Sequence, residues 1–266
     1  MTSRLRTLFA ARPPLVGVVH LAPSLSYATF PGRTAALDGL RSDLAALAAG
    51  GIDGVLLEND NDKPHTLTVS KAQVAWLTQA ACVAREATTL PVGIGVQRID
   101  WEATVAIAAA AGLDFVRLDV FVDRVRMLDQ DVAVDPAAVL SLRTALRAES
   151  VQLWTDVHVK HAELVGSSPI EASAREAAAR GSDAVLVSGT RTGEPPDLGE
   201  LERARGGAAP VPILIGSGLT AELAPALAPH ADGAVVGTSL KEGDRISAAK
   251  VARVVEAWQR ACASRP

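Results

Sequence analysis

The sequence predicts an α/β protein, folded as one closed parallel barrel of eight βα units. Eight short apolar runs alternate with longer helical patterns along the 266 residues. The apolar runs are hydrophobic on both faces, as the buried strands of a parallel sheet are. A chain of this length commonly folds as a single barrel of this kind. No G-x-G-x-x-G motif follows the first run, which disfavours the main alternative, an open doubly wound sheet.

The elements follow one another in strict alternation. Strands are predicted over 15–20, 54–58, 92–97, 115–120, 151–158, 184–188, 212–216 and 233–237. Helices are predicted near 34–49, 69–87, 101–111, 135–148, 170–181, 197–205, 220–228 and 247–262. Gly51, Gly112 and Gly181 should end three helices in the left-handed conformation before the next strand begins. No linker is apparent, so we expect one domain over residues 1–266, with residues 1–14 as an N-terminal extension.

Composition excludes several classes of protein. The formal net charge is −4, and no basic run stands out, so nucleic-acid binding has no electrostatic support. No uncharged apolar segment reaches the roughly 18 residues that a membrane span needs, and the N-terminus lacks a signal-peptide pattern. Cys82 and Cys262 lack metal-ligand spacing, so we expect both to be free thiols in a reducing compartment. We therefore expect a cytoplasmic protein and leave its oligomeric state open, a homo-oligomer included.

Polar side chains stand where the first six predicted strands end. In parallel barrels, function gathers at the carboxyl ends of the strands. Because these ends meet on one face, we expect the polar side chains to ring a single mouth. The residues are His20, Glu58 with Asn59, Gln97 with Arg98, Asp119, Asp156 with His158 and Lys160, and Ser188 with Gly189 and Thr190.

The fifth strand carries the densest cluster of ionisable groups. Strand alternation places Asp156, His158 and Lys160 on one face. Such groups are costly to bury unless they pair or do chemistry, so the cluster is either an ionic network that closes the core or a reactive centre. We favour the second: Lys160 and His158 as acid/base groups, Asp156 or Asp119 orienting them, and Glu58 as a further carboxylate.

Two glycine-containing loops follow the last two predicted strands. Glycine lets backbone N–H groups approach an anion, and the helix predicted after Thr220 would add its positive end. Loops seven and eight are the usual phosphate site of such barrels, although glycines can also simply turn the chain. We predict a phosphate site built from Gly216, Ser217, Gly218, Gly237, Thr238, Ser239 and Lys241, with His20, Asn59, Arg98, Ser188, Gly189 and Thr190 as further ligand contacts.

These motifs together resemble the BtpA family, over nearly the whole chain. The resemblance rests on residues 156–162, 187–193, 216–218 and 236–241, with 19–21 and 57–59 near the start. It implies a TIM barrel of the ribulose-phosphate-binding kind, in a family named for a factor needed to accumulate photosystem I. The chain departs from the family pattern at Asp119, where Asn is usual, and at Asp123, where Gly is usual.

The resulting hypothesis is an enzyme that binds a small phosphorylated, sugar- or nucleoside-derived molecule. Loops six to eight, which follow the sixth, seventh and eighth predicted strands, would hold the phosphate and leave the reacting end near strands one to five. Acid/base chemistry would perform an isomerisation, a lyase or aldol reaction, or glycosidic cleavage, without a cofactor. One alternative uses a divalent metal held by Glu58, Asp119, Asp156 and His158. Another is a non-catalytic assembly or biogenesis factor. We expect Lys160 to stay charged, because nearby carboxylates oppose the neutral amine that a Schiff base requires.

The longest stretch without periodicity, residues 121–133, is rich in charge. A long loop at the carboxyl end of a barrel strand can close over a ligand, and it can equally be a solvated connection. Both readings predict that this segment lies beside the mouth.

Overall fold

The computed structural model describes residues 4–9, 12–191 and 193–264, and within them eight parallel strands close into a barrel. The strands neighbour one another in chain order, and the eighth pairs with the first. The predicted (βα)8 fold is therefore confirmed. The barrel strands are β1 Leu15–His20, β2 Gly54–Glu58, β3 Val92–Gly95, β4 Phe115–Leu118, β5 Gln152–Val157, β6 Ala184–Val187, β7 Ile213–Ile215 and β8 Gly233–Val236.

Helices surround the barrel at nearly the predicted places. Within the described residues, the α-helices are Leu5–Leu8, Arg33–Ala49, Lys71–Ala87, Trp101–Ala111, Pro136–Ala145, Ile170–Ala179, Leu198–Ala208, Ala224–Leu227 and Ala248–Ala263. Gly51, Gly112 and Gly181 have φ angles of 82°, 63° and 95°, as their role in helix termination requires. None of the described helices is both long and apolar enough to cross a membrane.

The inward-facing side chains at the amino-terminal end of the barrel form an apolar plug. The rings of Phe115 and Trp154 stack with centroids 3.9 Å apart, and Phe9 lies 6.0 Å from Trp154. Leu5 and Phe9 join the same cluster from the short N-terminal helix and the residue after it. The predicted N-terminal extension falls partly outside the described residues. Within it, Leu5 and Phe9 close the amino-terminal end of the barrel.

A small antiparallel sheet, here called the cap sheet, stands beside the opposite end. It pairs Val125–Met127 with both Gln130–Val132 and Glu163–Leu164. A separate apolar cluster packs beneath it, including Val120, Val125, Met127, Val132 and Val159. The segment 121–133 is thus partly ordered as a hairpin, anchored by the loop that follows β5.

Two sequence predictions need correction. Strand β5 ends at Val157, and His158 has a φ of 50°, so strict alternation stops before His158 and Lys160. After Thr220, the predicted helix over 220–228 is a four-residue helix, Ala224–Leu227, followed by a 3₁₀ turn, Ala228–His230. An amino-terminal helix dipole next to loop seven therefore has little basis, because so short a helix sums few peptide dipoles.

Candidate functional site

Arg117 organises the charged floor of the mouth. It projects inward from β4, and its side chain is 5% exposed. Nε and Nη2 donate to the two oxygens of Asp156, each at 2.8 Å, while Nη1 donates to Glu58 at 3.1 Å. Burial alone would lower the pKa of Arg117, yet Asp156 and Glu58 raise that pKa well above its ordinary value. The guanidinium is a permanent cation that fixes two carboxylates from neighbouring parts of the barrel.

Two glycines leave room for this network. A Cβ added at Gly216 would lie 2.4 Å from the Ser188 hydroxyl and 3.3 Å from Nη2 of Arg117. Gly95 borders the stem of Arg117 with more space, since its added Cβ would be 3.4 Å from the Arg117 Cβ. Gly216 is therefore required for packing as well as for any approach to an anion.

Two adjoining cavities open above Arg117. The first, of about 220 Å³, lies over loops seven and eight. The second, of about 30 Å³, lies towards the loops after β2, β3 and β4. His20, Glu58, Arg117 and Lys160 line both. The second cavity is also lined by Asp60, Gln97, Arg98, Asp119, Val159 and His161.

Asp119 is the carboxyl group best suited to proton transfer. Burial raises its pKa to about 7: Arg117 offsets part of the increase, whereas the negative charges of Asp156 and Glu58 add to it. Its Oδ1 lies 4.0 Å from Nε of Arg117, so the guanidinium is near, but its bidentate hydrogen bonds go to Asp156. A carboxyl group that titrates near neutral pH can both accept and donate a proton.

Lys160 is the member of the predicted central cluster that reaches both cavities. Burial and the charge of Arg117 lower its pKa, and Glu58, Asp156 and Asp119 oppose that decrease. The carboxylates act in the direction expected from the sequence, but burial and Arg117 outweigh them. Burial is the largest cause of the lowered pKa, and Arg117 adds to it; that Lys160 stays charged remains a prediction.

His20 bridges the two cavities. Its Nε2 lies 4.0 Å from Glu58, and a Cβ added at Gly237 would lie 2.9 Å from its Cε1. Burial lowers the pKa of His20, although Glu58 opposes that effect. A single imidazole ring therefore separates loop eight from the floor carboxylates.

The glycine loops form a folded wall beside the first cavity. Gly216, Ser217, Gly218, Gly237, Thr238 and Ser239 all line that cavity, as does Thr220. Ser217 accepts from the backbone N–H of Gly189 at 3.0 Å and donates to the carbonyl of Glu194 at 2.9 Å. A Cβ on Gly218 would lie 2.2 Å from the backbone of Glu194. Ser217 and Gly218 thus also fasten loop six onto loop seven.

Other predicted site residues lie outside both cavity linings. Asp156 and Ser188 are buried beneath Arg117, which donates to both. The backbone N–H of His158 donates to Asp123 at 2.9 Å, and the His158 side chain lines neither cavity. The remaining residues of this kind serve loop contacts or lie farther out, namely Asn59, Gly189, Thr190 and Lys241.

Asn59 belongs to a buried structural network. Its Oδ1 accepts from the N–H of Gln97 at 2.8 Å, and its amide donates to Asp62. Asp62 also accepts from the Ser24 hydroxyl and from Gln73. These contacts hold the loops after β1, β2 and β3 together and so position the second cavity.

The metal-dependent alternative finds no preformed ligand set. Within the described ranges, no three His, Cys, Asp or Glu side chains are arranged to hold a metal ion. Arg117 lies between Glu58 and Asp156 and bonds both. Two of the four hypothesised ligands are therefore already paired with a cation, and a third, His158, lies outside the cavities.

Sequence reasoning missed Arg117, although a signal was present. In Phe115-Val-Arg-Leu-Asp119 the period of two places Phe115, Arg117 and Asp119 on one face. A charged residue in the middle of an otherwise apolar buried strand needs a partner. That partner is Asp156, which points inward from β5 two positions after Trp154.

Comparison with known proteins gives a consistent family assignment. The model of the BtpA family matches residues 11–260. The photosystem I biogenesis protein BtpA of Synechocystis sp. is 33% identical over 265 residues, covering 97% of this chain and 92% of that protein. An uncharacterized protein of Thermococcus kodakarensis is 35% identical over 237 residues, covering 88% of this chain and 89% of its own length.

Solved structures agree on the fold at low sequence identity. Tryptophan synthase subunit alpha from Legionella pneumophila superposes with a TM-score of 0.62 at 14% identity, covering 98% of this chain and 100% of that one. Thiamine phosphate pyrophosphorylase from Pyrococcus furiosus gives a TM-score of 0.59 at 12% identity, covering 93% and 96%. At these identities the similarity shows the fold alone.

Proposed function

The chain belongs to the BtpA family, and from this premise we propose that it is an enzyme acting on a small phosphorylated substrate by acid/base chemistry. The phosphate would lie in the first cavity, against loops seven and eight. The reacting carbon atoms would lie over Glu58, Asp119 and Lys160. Isomerisation, lyase or aldol chemistry, and glycosidic cleavage are the reaction classes compatible with these groups.

One observation carries the proposal: a single set of side chains lines both cavities. His20, Glu58, Arg117 and Lys160 border the glycine loops on one side and Asp119 on the other. A molecule held by its phosphate would therefore extend directly over titratable groups. Catalysis benefits when binding energy from such a remote group positions the reacting atoms.

The chemistry divides between proton transfer and charge stabilisation. Asp119 can take a proton from a substrate carbon or hydroxyl and return it to a neighbouring atom, since its pKa is about 7. Lys160 and Arg117 can stabilise negative charge that develops on a substrate oxygen. This division needs no covalent link to the enzyme.

Phosphate binding is tested with a matched pair of variants at one exposed position. Thr238 lines the first cavity and is solvent-exposed, so both variants should fold. Thr238→Asp adds a negative charge beside the phosphate, whereas Thr238→Asn has nearly the same shape without the charge. A ligand at about 100 times its Kd stabilises the parent by about 2.7 kcal/mol, or about 5–10 °C in Tm for a domain of this size.

The expected result of the thermal-shift measurement is specific. Inorganic phosphate and sugar phosphates should raise the Tm of the parent and of Thr238→Asn, but not that of Thr238→Asp. Equal stabilisation of both variants would contradict a phosphate site at loop eight.

Catalysis is tested without knowing the product. Sugar phosphates incubated with the protein in D₂O should exchange carbon-bound hydrogen for deuterium if a proton is removed next to a carbonyl, and mass spectrometry detects this. Asp119→Asn should abolish the exchange while leaving inorganic phosphate binding intact. Exchange that persists unchanged in Asp119→Asn would remove Asp119 from the proposal.

A second candidate is an assembly role, which is favoured by the name of the Synechocystis relative, a photosystem I biogenesis protein. The two candidates differ in their dependence on Asp119. A Synechocystis strain lacking its own BtpA protein would be supplied with this chain or with its Asp119→Asn variant. Restoration of photosystem I by both would favour assembly without catalysis; restoration by the parent alone would favour the enzyme.

A further inference from the structure

We propose, resting on the proposed function, that the part of the substrate beyond the phosphate is a short hydroxyl-bearing carbon chain or ring, as in a small sugar phosphate, and not a nucleobase. Three features of the second cavity carry this inference: its volume, its lining and its distance from the phosphate loops.

The volume is too small for a base. About 30 Å³ is room for about two water molecules, since one needs about 10–15 Å³ of cavity, whereas a cavity that binds benzene measures about 150 Å³. A hydroxyl, a carbonyl or a one-carbon terminus of a chain fits such a space. A pyrimidine or purine, with six or more ring atoms, does not.

The lining is that of a site for hydroxyl groups. Glu58, Asp60 and Asp119 supply carboxylate oxygens, which accept from hydroxyls, and Gln97, Arg98 and Lys160 supply N–H donors. Every hydroxyl of a sugar is both donor and acceptor, so this mixture of donors and acceptors suits it. Val159 is the apolar member of the described lining.

Among the described residues, the site offers no broad ring on which a base could stack. No Phe, Tyr or Trp is among the described residues that line either cavity. Two imidazoles are present: His20 is packed over Gly237, and His161 is exposed at the rim. A base placed on His161 would therefore remain in solvent, where stacking contributes little burial.

The two halves of the site lie close together. The His20 ring lies beside Gly237 of loop eight, where an added Cβ would be 2.9 Å from its Cε1. Its Nε2 lies 4.0 Å from Oε2 of Glu58. The segment that joins the phosphate to the reacting atoms must therefore be short.

The test compares the affinities of named probes by isothermal titration calorimetry. They are inorganic phosphate, glycerol 3-phosphate, D-ribose 5-phosphate, D-ribulose 5-phosphate, uridine 5′-monophosphate and adenosine 5′-monophosphate. At least one sugar phosphate should bind about tenfold or more tightly than inorganic phosphate and than both nucleotides. Asp60→Asn, which removes a charge from the second cavity with little change of shape, should weaken that sugar phosphate severalfold and leave inorganic phosphate unchanged.

Each other outcome is decisive. Nucleotides that bind as tightly as the sugar phosphates would overturn the inference. So would sugar phosphates no tighter than inorganic phosphate, although the phosphate site of the proposed function would then stand. If no probe binds, inorganic phosphate included, the proposed function itself fails and the inference fails with it. A loss of inorganic phosphate binding in Asp60→Asn would show that Asp60 acts on the phosphate half and would also overturn the assignment.

Discussion

The two ends of the barrel interior use the same geometry for opposite purposes. Strand β4 and the residue that follows it point Phe115, Arg117 and Asp119 inward in succession, and β5 does the same with Trp154 and Asp156. At the amino-terminal end, Phe115 stacks on Trp154; two residues later, Arg117 bonds Asp156. At the apolar end, burial stabilises the side chains without any ion pair. At the charged end, each buried charge needs its oppositely charged partner, so the layer is stable only as a complete network.

The neighbouring strand shows the same division. A Cβ on Gly93 would lie 2.2 Å from the Phe115 ring, whereas a Cβ on Gly95 would lie 3.4 Å from Arg117. Along β3, the plug is therefore filled to contact, whereas the charged layer above it retains space at Gly95. On the opposite side of Arg117, at Gly216, the charged layer is itself closely packed.

The largest effects should come from removing the central residue of either layer. Trp154→Ala should lower the free energy of unfolding by about 3–5 kcal/mol, through lost burial and a cavity in the plug. Arg117→Met should cost a similar amount, about 3–5 kcal/mol, since Asp156 and Glu58 would remain buried without their cation. Urea denaturation measures both losses.

A control variant separates the two causes. Arg117→Lys keeps the positive charge but loses the bidentate geometry, so it should be less destabilised than Arg117→Met. Equal losses in the two variants would mean that the positive charge alone does not stabilise this layer, and the proposed contrast between the layers would fail.

Asp119→Asn should change the pH dependence of stability. Because the pKa of Asp119 is raised to about 7, the native state binds this proton more tightly than the unfolded chain, whose aspartates titrate near about 4. The parent should therefore lose stability as pH rises from about 4 to about 7, by up to about 4 kcal/mol from this group.

Asn does not titrate, so the variant should lack that loss. Asp119→Asn should be more stable than the parent at pH 8 and nearer to it at pH 4, as measured by urea denaturation at both values. A stability difference that stays constant with pH would show that the native state does not raise the pKa of Asp119.

The same substitution at two glycines of β3 gives a smaller and sharper test. Gly93→Ala should destabilise by about 1–3 kcal/mol, because its methyl group overlaps the Phe115 ring. Gly95→Ala should change stability by less than about 1 kcal/mol, since its methyl group meets Arg117 at van der Waals distance. If Gly95→Ala is the more damaging of the two, the charged layer is packed as tightly as the plug.

Lys160→Met should have the smallest effect on stability, within about 0.5 kcal/mol. Burial and Arg117 already lower the pKa of Lys160, so the folded state gains little from this charge. The Tm measured near neutral pH reports the change. A loss of several degrees would indicate that Lys160 is a structural partner of the floor carboxylates and that its position at both cavities serves folding.

The sequence by itself determined the barrel. The evidence was local: strands with two apolar faces, helices between them and glycines that end three of those helices. Because such βα units can be connected in only a few ways, these patterns were enough to predict the closed barrel. The positions of Glu58, Asp119 and the two glycine loops at the mouth followed from the rule that strand ends meet on one face. His20 and Lys160 were found by the same reasoning.

The tertiary structure alone decided which charges pair. Alternation along β5 predicted that Asp156, His158 and Lys160 act together, but the positive φ of His158 breaks the alternation. Asp156 is instead bound by Arg117, which lies 39 residues earlier in the chain. Partner choice depends on distances across the barrel, and a sequence contains no such distances. The same reason explains Ser217 and Gly218, whose contacts with loop six appear only when the two loops are folded against each other.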